Sequence, residues 1–176
     1  FNLWAQSGYY TNSPLWLPLC FLPHSLHVSY IDLTILFRLS LAGLFFCLYL
    51  IKTHRNLSYK KTLFIFPALS LAWSLSGYMS AFINQIMWTD VVVLLPLVIL
   101  GIEYIKDKKS PFLYLFTLFL SIFSCFYLSF MVCIFAVLWF LFIMLREKIE
   151  WKDRFICAVK FGISSLLAGG LSAVVI

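Results

Sequence analysis

Charged side chains are scarce in this chain and unevenly placed. Asp, Glu, Lys and Arg make up 11% of its 176 residues against 63% hydrophobic, where a soluble domain carries roughly 25% charged residues. Acids are scarcest, seven against thirteen bases. From residue 62 to residue 102 the single charge is Asp90, and from 110 to 145 there is none. Runs of that kind exclude a small soluble domain and put the segments in lipid. Also missing are an internal repeat, a low-complexity linker and any soluble stretch long enough to carry chemistry. The five cysteines (Cys20, Cys47, Cys125, Cys133 and Cys157) have no CxxC or CxxH spacing, and four lie in apolar runs. That argues against a disulfide framework or a metal site.

The charges that are present are arranged for a bilayer. A net charge of +6 invites a nucleic-acid reading, but twelve of the thirteen bases fall in three clusters between apolar runs. These are Lys52, Arg55, Lys60 and Lys61; Lys106, Lys108 and Lys109; and Arg146, Lys148, Lys152, Arg154 and Lys160. Bases clustered in short loops mark the cytoplasmic side of a membrane. Nucleic acid is therefore excluded as a partner, and the lipid bilayer takes its place. Loops 52–61, 106–110 and 146–154 are expected in the cytoplasm. Residues 1–30, which hold no Lys or Arg, are expected outside as an interfacial segment.

The expected fold is all-α, a polytopic transmembrane helical bundle occupying 31–176. Residues 62–102 leave one basic cluster and end at the next, so they cross an even number of times; as one helix they would span roughly 60 Å, about twice the hydrocarbon thickness. A hairpin with its turn near Asn84 and Gln85 follows. The same reasoning gives two crossings over 110–145, with the turn around Ser124–Ser129. The expected spans are 33–51, 63–83, 87–104, 111–126, 129–145 and 157–176. Pro96 predicts a kink in the third, and Ala168-Gly169-Gly170 predicts close packing in the last.

The candidate functional residues gather at the outer ends of these spans. Asp90, in the run Asn84-Gln85-Ile86-Met87-Trp88-Thr89-Asp90, is a carboxylate at membrane depth, which marks a functional candidate. Its alternative reading is an interfacial acid reaching water. Arg38 lies about 9 Å below Asp32 along its helix, too deep for a loop, and needs an anionic partner, either Asp90 or a phosphate. Asp32, just ahead of an apolar run, reads more simply as an N-cap. The N-terminal segment carries Trp4, Tyr9, Tyr10, Trp16 and Tyr30 with Asn2, Gln6, Asn12, His24 and His27, while Pro14, Pro18 and Pro23 bar a long helix. It is either an aromatic belt at the interface or a site gripping a sugar or lipid head group. His24 and His27 have no third ligand in view, and Glu103 is placed to pair with Lys106.

Several of these strings resemble a known family. Leu75-Ser76-Gly77-Tyr78-Met79, then Asn84 to Asp90, then Leu94-Leu95-Pro96-Leu97 and Leu100-Gly101-Ile102-Glu103 are similar to the YfhO family of bacterial integral membrane proteins. Tyr9-Tyr10-Thr11-Asn12-Ser13-Pro14 and Ser124-Cys125-Phe126-Tyr127-Leu128-Ser129-Phe130-Met131 resemble it in the same order. Cys125 stands where the family pattern has Asn, and Ser129 where it has Gly. The resemblance implies a glycosyltransferase-C architecture whose members move sugar from a polyprenyl-phosphate-linked donor to a wall-polymer acceptor such as teichoic acid, at the outer face of the cell membrane. It also implies that the catalytic carboxylate sits in a first external loop. Because the chain begins at Phe1 and stops in the apolar Ala173–Ile176, it is read as a fragment, with that loop upstream of Phe1. The substrate-binding candidates are then Asp90, Trp88, Asn84, Arg38, Asp32, Tyr9, Tyr10 and Asn12. No cofactor is evident, and the need for a divalent metal stays open. A transporter or flippase, with Asp90 and Arg38 on its pathway, and a noncatalytic membrane scaffold are the alternatives.

Overall fold

A computed structural model describes residues 13–54, 59–147 and 150–173, with the side chains of 59–62 and of 86 and 87 aside. Among them the regular elements are all helical. Ser13 opens the first element as an N-cap, its Oγ accepting from the Leu15 amide at 3.4 Å, and Pro14 occupies the first helical position, where a missing N–H costs nothing. The resulting 3-10 segment Pro14–Phe21 is followed by a second short one, His24–Leu26. Seven α-helices follow: α1 His27–Thr53, α2 Tyr59–Ser74, α3 Gly77–Ala81, α4 Ile86–Lys106, α5 Phe112–Ser124, α6 Phe126–Arg146 and α7 Trp151–Leu171.

Five stretches are long and apolar enough to cross a membrane, over His24–Thr53, Leu63–Ala81, Trp88–Lys106, Phe126–Arg146 and Trp151–Leu171; α5 is a shorter apolar helix. α4 is the centre of the bundle. It packs on α1, α5, α6 and α7, whereas α2 lies along α1. Accordingly 56% of its apolar window is buried, against 22% of that of α1. The outer helices turn large apolar side chains such as Phe64, Leu138, Leu145, Phe155 and Leu166 outward. Exposed hydrophobes on that scale fit a lipid solvent and not water.

Close approach of α4 and α5 rests on one residue. A Cβ on Gly101 would lie 2.6 Å from the backbone N and Cα of Tyr114, so only glycine lets these two helices meet there. Tyr114 in turn bonds Ser165 of α7 through its hydroxyl at 2.9 Å and stacks on Phe161, which also stacks on Phe140 of α6. One ring in α7 thus touches the start of α5 and the far part of α6, which requires α5 and α6 to fold back on each other. The reversal occurs at a single extended residue, the fully buried Cys125, and the Ser121 and Ser129 hydroxyls bond across it at 2.8 Å.

This topology brings the basic ends together. Lys106 lies 3.9 Å from Glu147, Lys108 pairs with Asp153 at 2.8 Å, and Lys52 shares a cleft with Lys106 and Lys109. The hydrogen bond from Lys108 to Asp153 holds that ammonium above the ordinary lysine range. Lys108 also adopts a left-handed φ of 60°. It closes α4 in a Schellman motif, with Lys109 N bonding Tyr104 O and Lys108 N bonding Ile105 O.

Several expected boundaries move. α1 starts at His27 and not at 33, so it takes in the end of the segment expected to lie at the interface. The span expected over 63–83 breaks after Ser74, and the chain turns through Leu75 and Ser76 into the short α3. The two crossings within 110–145 are unequal, 13 residues in α5 against 21 in α6. At about 20 Å, α5 is shorter than the hydrocarbon core. Pro96 is fully buried inside an uninterrupted α4.

Candidate functional site

At the end of the bundle away from the basic clusters, α1 and α4 are joined by one buried ion pair. Arg38 Nε donates to Asp90 Oδ1, and Nη2 donates to Oδ2 at 3.4 Å and to Ser13 Oγ at 3.0 Å. Both side chains are inside the protein, 3% and 8% exposed. Their depth follows from helix arithmetic: Arg38 stands fourteen residues before Lys52 and Asp90 sixteen before Lys106, or about 21 and 24 Å above the basic end. The two estimates agree, as parallel helices joined at both levels require. A planar guanidinium suits this place because its fork matches a carboxylate in two bonds and cannot lose its proton.

Ser13 is brought there by the 3-10 segment, which a second bond pins to α1: the Tyr30 hydroxyl donates to Leu15 O at 2.7 Å. The segment thus covers the guanidinium. Arg38 Nη1 is buried and has no partner among the described residues. Beside the guanidinium Ile35, Leu39, Met79, Ile83 and Thr89 leave a void of about 10 Å³, which is room for a single water at most. Next to this, Tyr78, Phe82 and Trp88 form an aromatic chain with successive ring centroids 4.8 and 5.1 Å apart. The Tyr78 hydroxyl and Trp88 Nε1 are also buried without a partner among the described residues. Among the described residues these buried donors lack acceptors, which makes this end of the bundle suited to a ligand rich in oxygen.

Of the residues singled out in the sequence, the structure joins Arg38 and Asp90 and sets Trp88 two residues before the latter, half-buried against Phe82. Asn84 is exposed in the turn before α4. Asp32 is exposed and lies inside α1, five residues past its first residue, so the N-cap reading fails: the helix begins a turn and a half earlier than the apolar run. Tyr9, Tyr10 and Asn12, with Trp4, Asn2 and Gln6, fall outside the described residues. The His24 and His27 rings lie 4.7 Å apart, tilted at 56°, and His27 Nε2 engages Leu22 O at 3.0 Å; no cluster of metal-binding side chains occurs among the described residues. Glu103 pairs with Lys106 at 2.9 Å, at the opposite end. The residue that sequence reasoning passed over is Ser13. Its signal was present, since Ser followed by Pro is a helix start, but nothing local tied that cap to Arg38.

An all-α bundle with lipid-facing outer helices and an intramembrane ion pair defines a multi-pass membrane protein. The whole chain, residues 1–176, matches the family described as Bacterial membrane protein YfhO, and the protein belongs to that family. No curated protein and no solved structure matches it.

Proposed function

We propose that this protein acts as a membrane glycosyltransferase, taking sugar from a polyprenyl-phosphate-linked donor and transferring it to a wall polymer such as teichoic acid at the outer face. The observation that carries this reading is the state of Arg38. It is held in place by Asp90 and Ser13, while Nη1 is buried without a partner among the described residues. Such a transfer must stabilise a departing phosphate, and Nη1 of a guanidinium already aimed by Asp90 supplies a charge-assisted donor to it. On this reading the basic end is cytoplasmic, and the Ser13–Phe21 segment shifts to admit the donor phosphate beside Arg38. Asp90 is then a positioning residue that aims the guanidinium. Trp88, Tyr78 and Asn84 contact the sugar or the acceptor. The base for the acceptor hydroxyl is not assigned to Asp90 or Asp32, because neither matches the family's external-loop acid.

The test is Arg38→Lys in the full-length protein, measured as wall-polymer glycosylation alongside abundance in the membrane. Lysine keeps a charge for Asp90 but loses the fork. Activity should fall at least ten-fold at near-parental abundance, while Glu103→Gln at the other end leaves both unchanged. Full activity in Arg38→Lys would remove Arg38 from the site. A transporter remains the second reading, favoured by the same observation of an ion pair at membrane depth; it predicts loss of substrate flux without loss of glycosyl transfer.

A further inference from the structure

The basic end of the bundle holds a polar cleft of about 170 Å³ between the ends of α1 and α4, lined by Lys52, Thr53, Glu103, Tyr104, Asp107 and Lys109 together with Lys106. Three ammonium groups face two carboxylates there, so the lining is positive by one charge. The carboxylates are already engaged, Glu103 by Lys106 at 2.9 Å and Asp107 by Lys109 at 3.1 Å, and Lys106 also lies 3.9 Å from Glu147 outside the cleft. Lys52 has no carboxylate partner among the described residues. Lys109 rests over the Tyr104 ring at 4.8 Å.

Above Lys52 the helix surface changes character. Leu44, Leu48 and Lys52 stand four residues apart and form one ridge along α1, with Leu44 and Leu48 53% and 38% exposed. A cation at the head-group level with an apolar ridge running from it into the hydrocarbon is complementary to one kind of molecule. We propose that this cleft binds an anionic phospholipid of the leaflet at the basic end, its phosphodiester held by Lys52 and Lys109 and one acyl chain lying along Leu48 and Leu44. A free anion has no use for the ridge, and a zwitterionic lipid cancels its own phosphate charge against the lysines. The site does not rest on the activity proposed for the Arg38 end.

The experiment uses the full-length protein in neutral detergent and follows binding by native mass spectrometry and thermal stability on adding phosphatidylglycerol, phosphatidylcholine with the same chains, or inorganic phosphate. Phosphatidylglycerol should bind and raise the unfolding temperature, and phosphatidylcholine should not. Lys52→Gln changes an exposed residue in the last turn of α1 and leaves folding intact; it should weaken phosphatidylglycerol binding about five-fold. Leu48→Gln, which keeps every charge, should also weaken it. Arg38→Lys should leave the lipid effect unchanged, which separates this site from the other. Equal stabilisation by phosphatidylcholine, full retention of binding in Lys52→Gln, or the same shift with inorganic phosphate alone would overturn the proposal.

Discussion

Replacing Asp90 by Asn removes one charge and keeps the shape, and the buried setting of Arg38 makes the consequence calculable. The variant strands a guanidinium that is 3% exposed, with an amide oxygen and Ser13 Oγ as its acceptors among the described residues. Breaking a buried pair from one side costs about 3–5 kcal/mol, and a charge at the centre of a membrane helix about 2.5–3.5 kcal/mol. The surviving acceptors favour the lower end, about 3 kcal/mol, or roughly a hundred-fold in the folded-to-unfolded ratio. Asp90→Asn alone should therefore lower both abundance and activity, so it cannot separate site from scaffold. The double variant Arg38→Met/Asp90→Leu can, because replacing both partners by apolar groups of similar size is near neutral or stabilising. It should return abundance and thermal stability to within about 1 kcal/mol of the parent while glycosyl transfer stays absent. Membrane abundance, unfolding temperature of the full-length protein in detergent and wall-polymer glycosylation form the assay. If Asp90→Asn unfolds at the parental temperature, the pair does not hold α1 to α4 as described. If the double variant is as unstable as the single one, the cost does not come from stranded charge. If it recovers activity along with stability, the pair is structural and the phosphate site fails.

Other outcomes follow from particular contacts. Gly101→Ala places a Cβ 2.6 Å from the Tyr114 backbone and should cost about 1–3 kcal/mol by forcing α4 and α5 apart, whereas Gly162→Ala meets nothing within 4 Å and should be neutral or slightly stabilising; unfolding temperatures compare them. A double-mutant cycle on Ser121→Ala and Ser129→Ala should show coupling of about 0.6 kcal/mol, the usual worth of an interhelical hydrogen bond in a membrane, and zero coupling would mean the hydroxyls do not hold the α5–α6 reversal. In a background cleared of native cysteines, a single cysteine at position 85 should react with an impermeant maleimide in intact cells, and one at position 108 only after permeabilisation; labelling of 108 in intact cells with 85 protected would invert the orientation.

What the bilayer dictates is legible in the residues alone. Uncharged runs too long for one crossing, bounded by lysine and arginine clusters, fix helices, their approximate number and the common side of the loops, because a bilayer offers no partner for a bare peptide group or a lone charge. Arg38 and Asp90 stood out for the same reason: each is a charge where lipid forbids one unless it is matched. Helix ends were less legible. α1 begins at His27 because the backbone of His27 to Asp32 continues a helix whose polar side chains look like a loop in a hydropathy pattern, and α5 ends at Cys125 without a glycine or proline to announce it. Which charges meet is set by how the helices pack. Fifty-two residues separate Arg38 from Asp90 and twenty-five separate it from Ser13, and no periodicity reaches across such distances. The contact exists because α4 is the helix around which the others pack, and Gly101 lets α5 close on one side of it while α1 lies along another. The register of those packed surfaces sets Arg38 level with Asp90, and Tyr30 draws the Ser13 turn down over both.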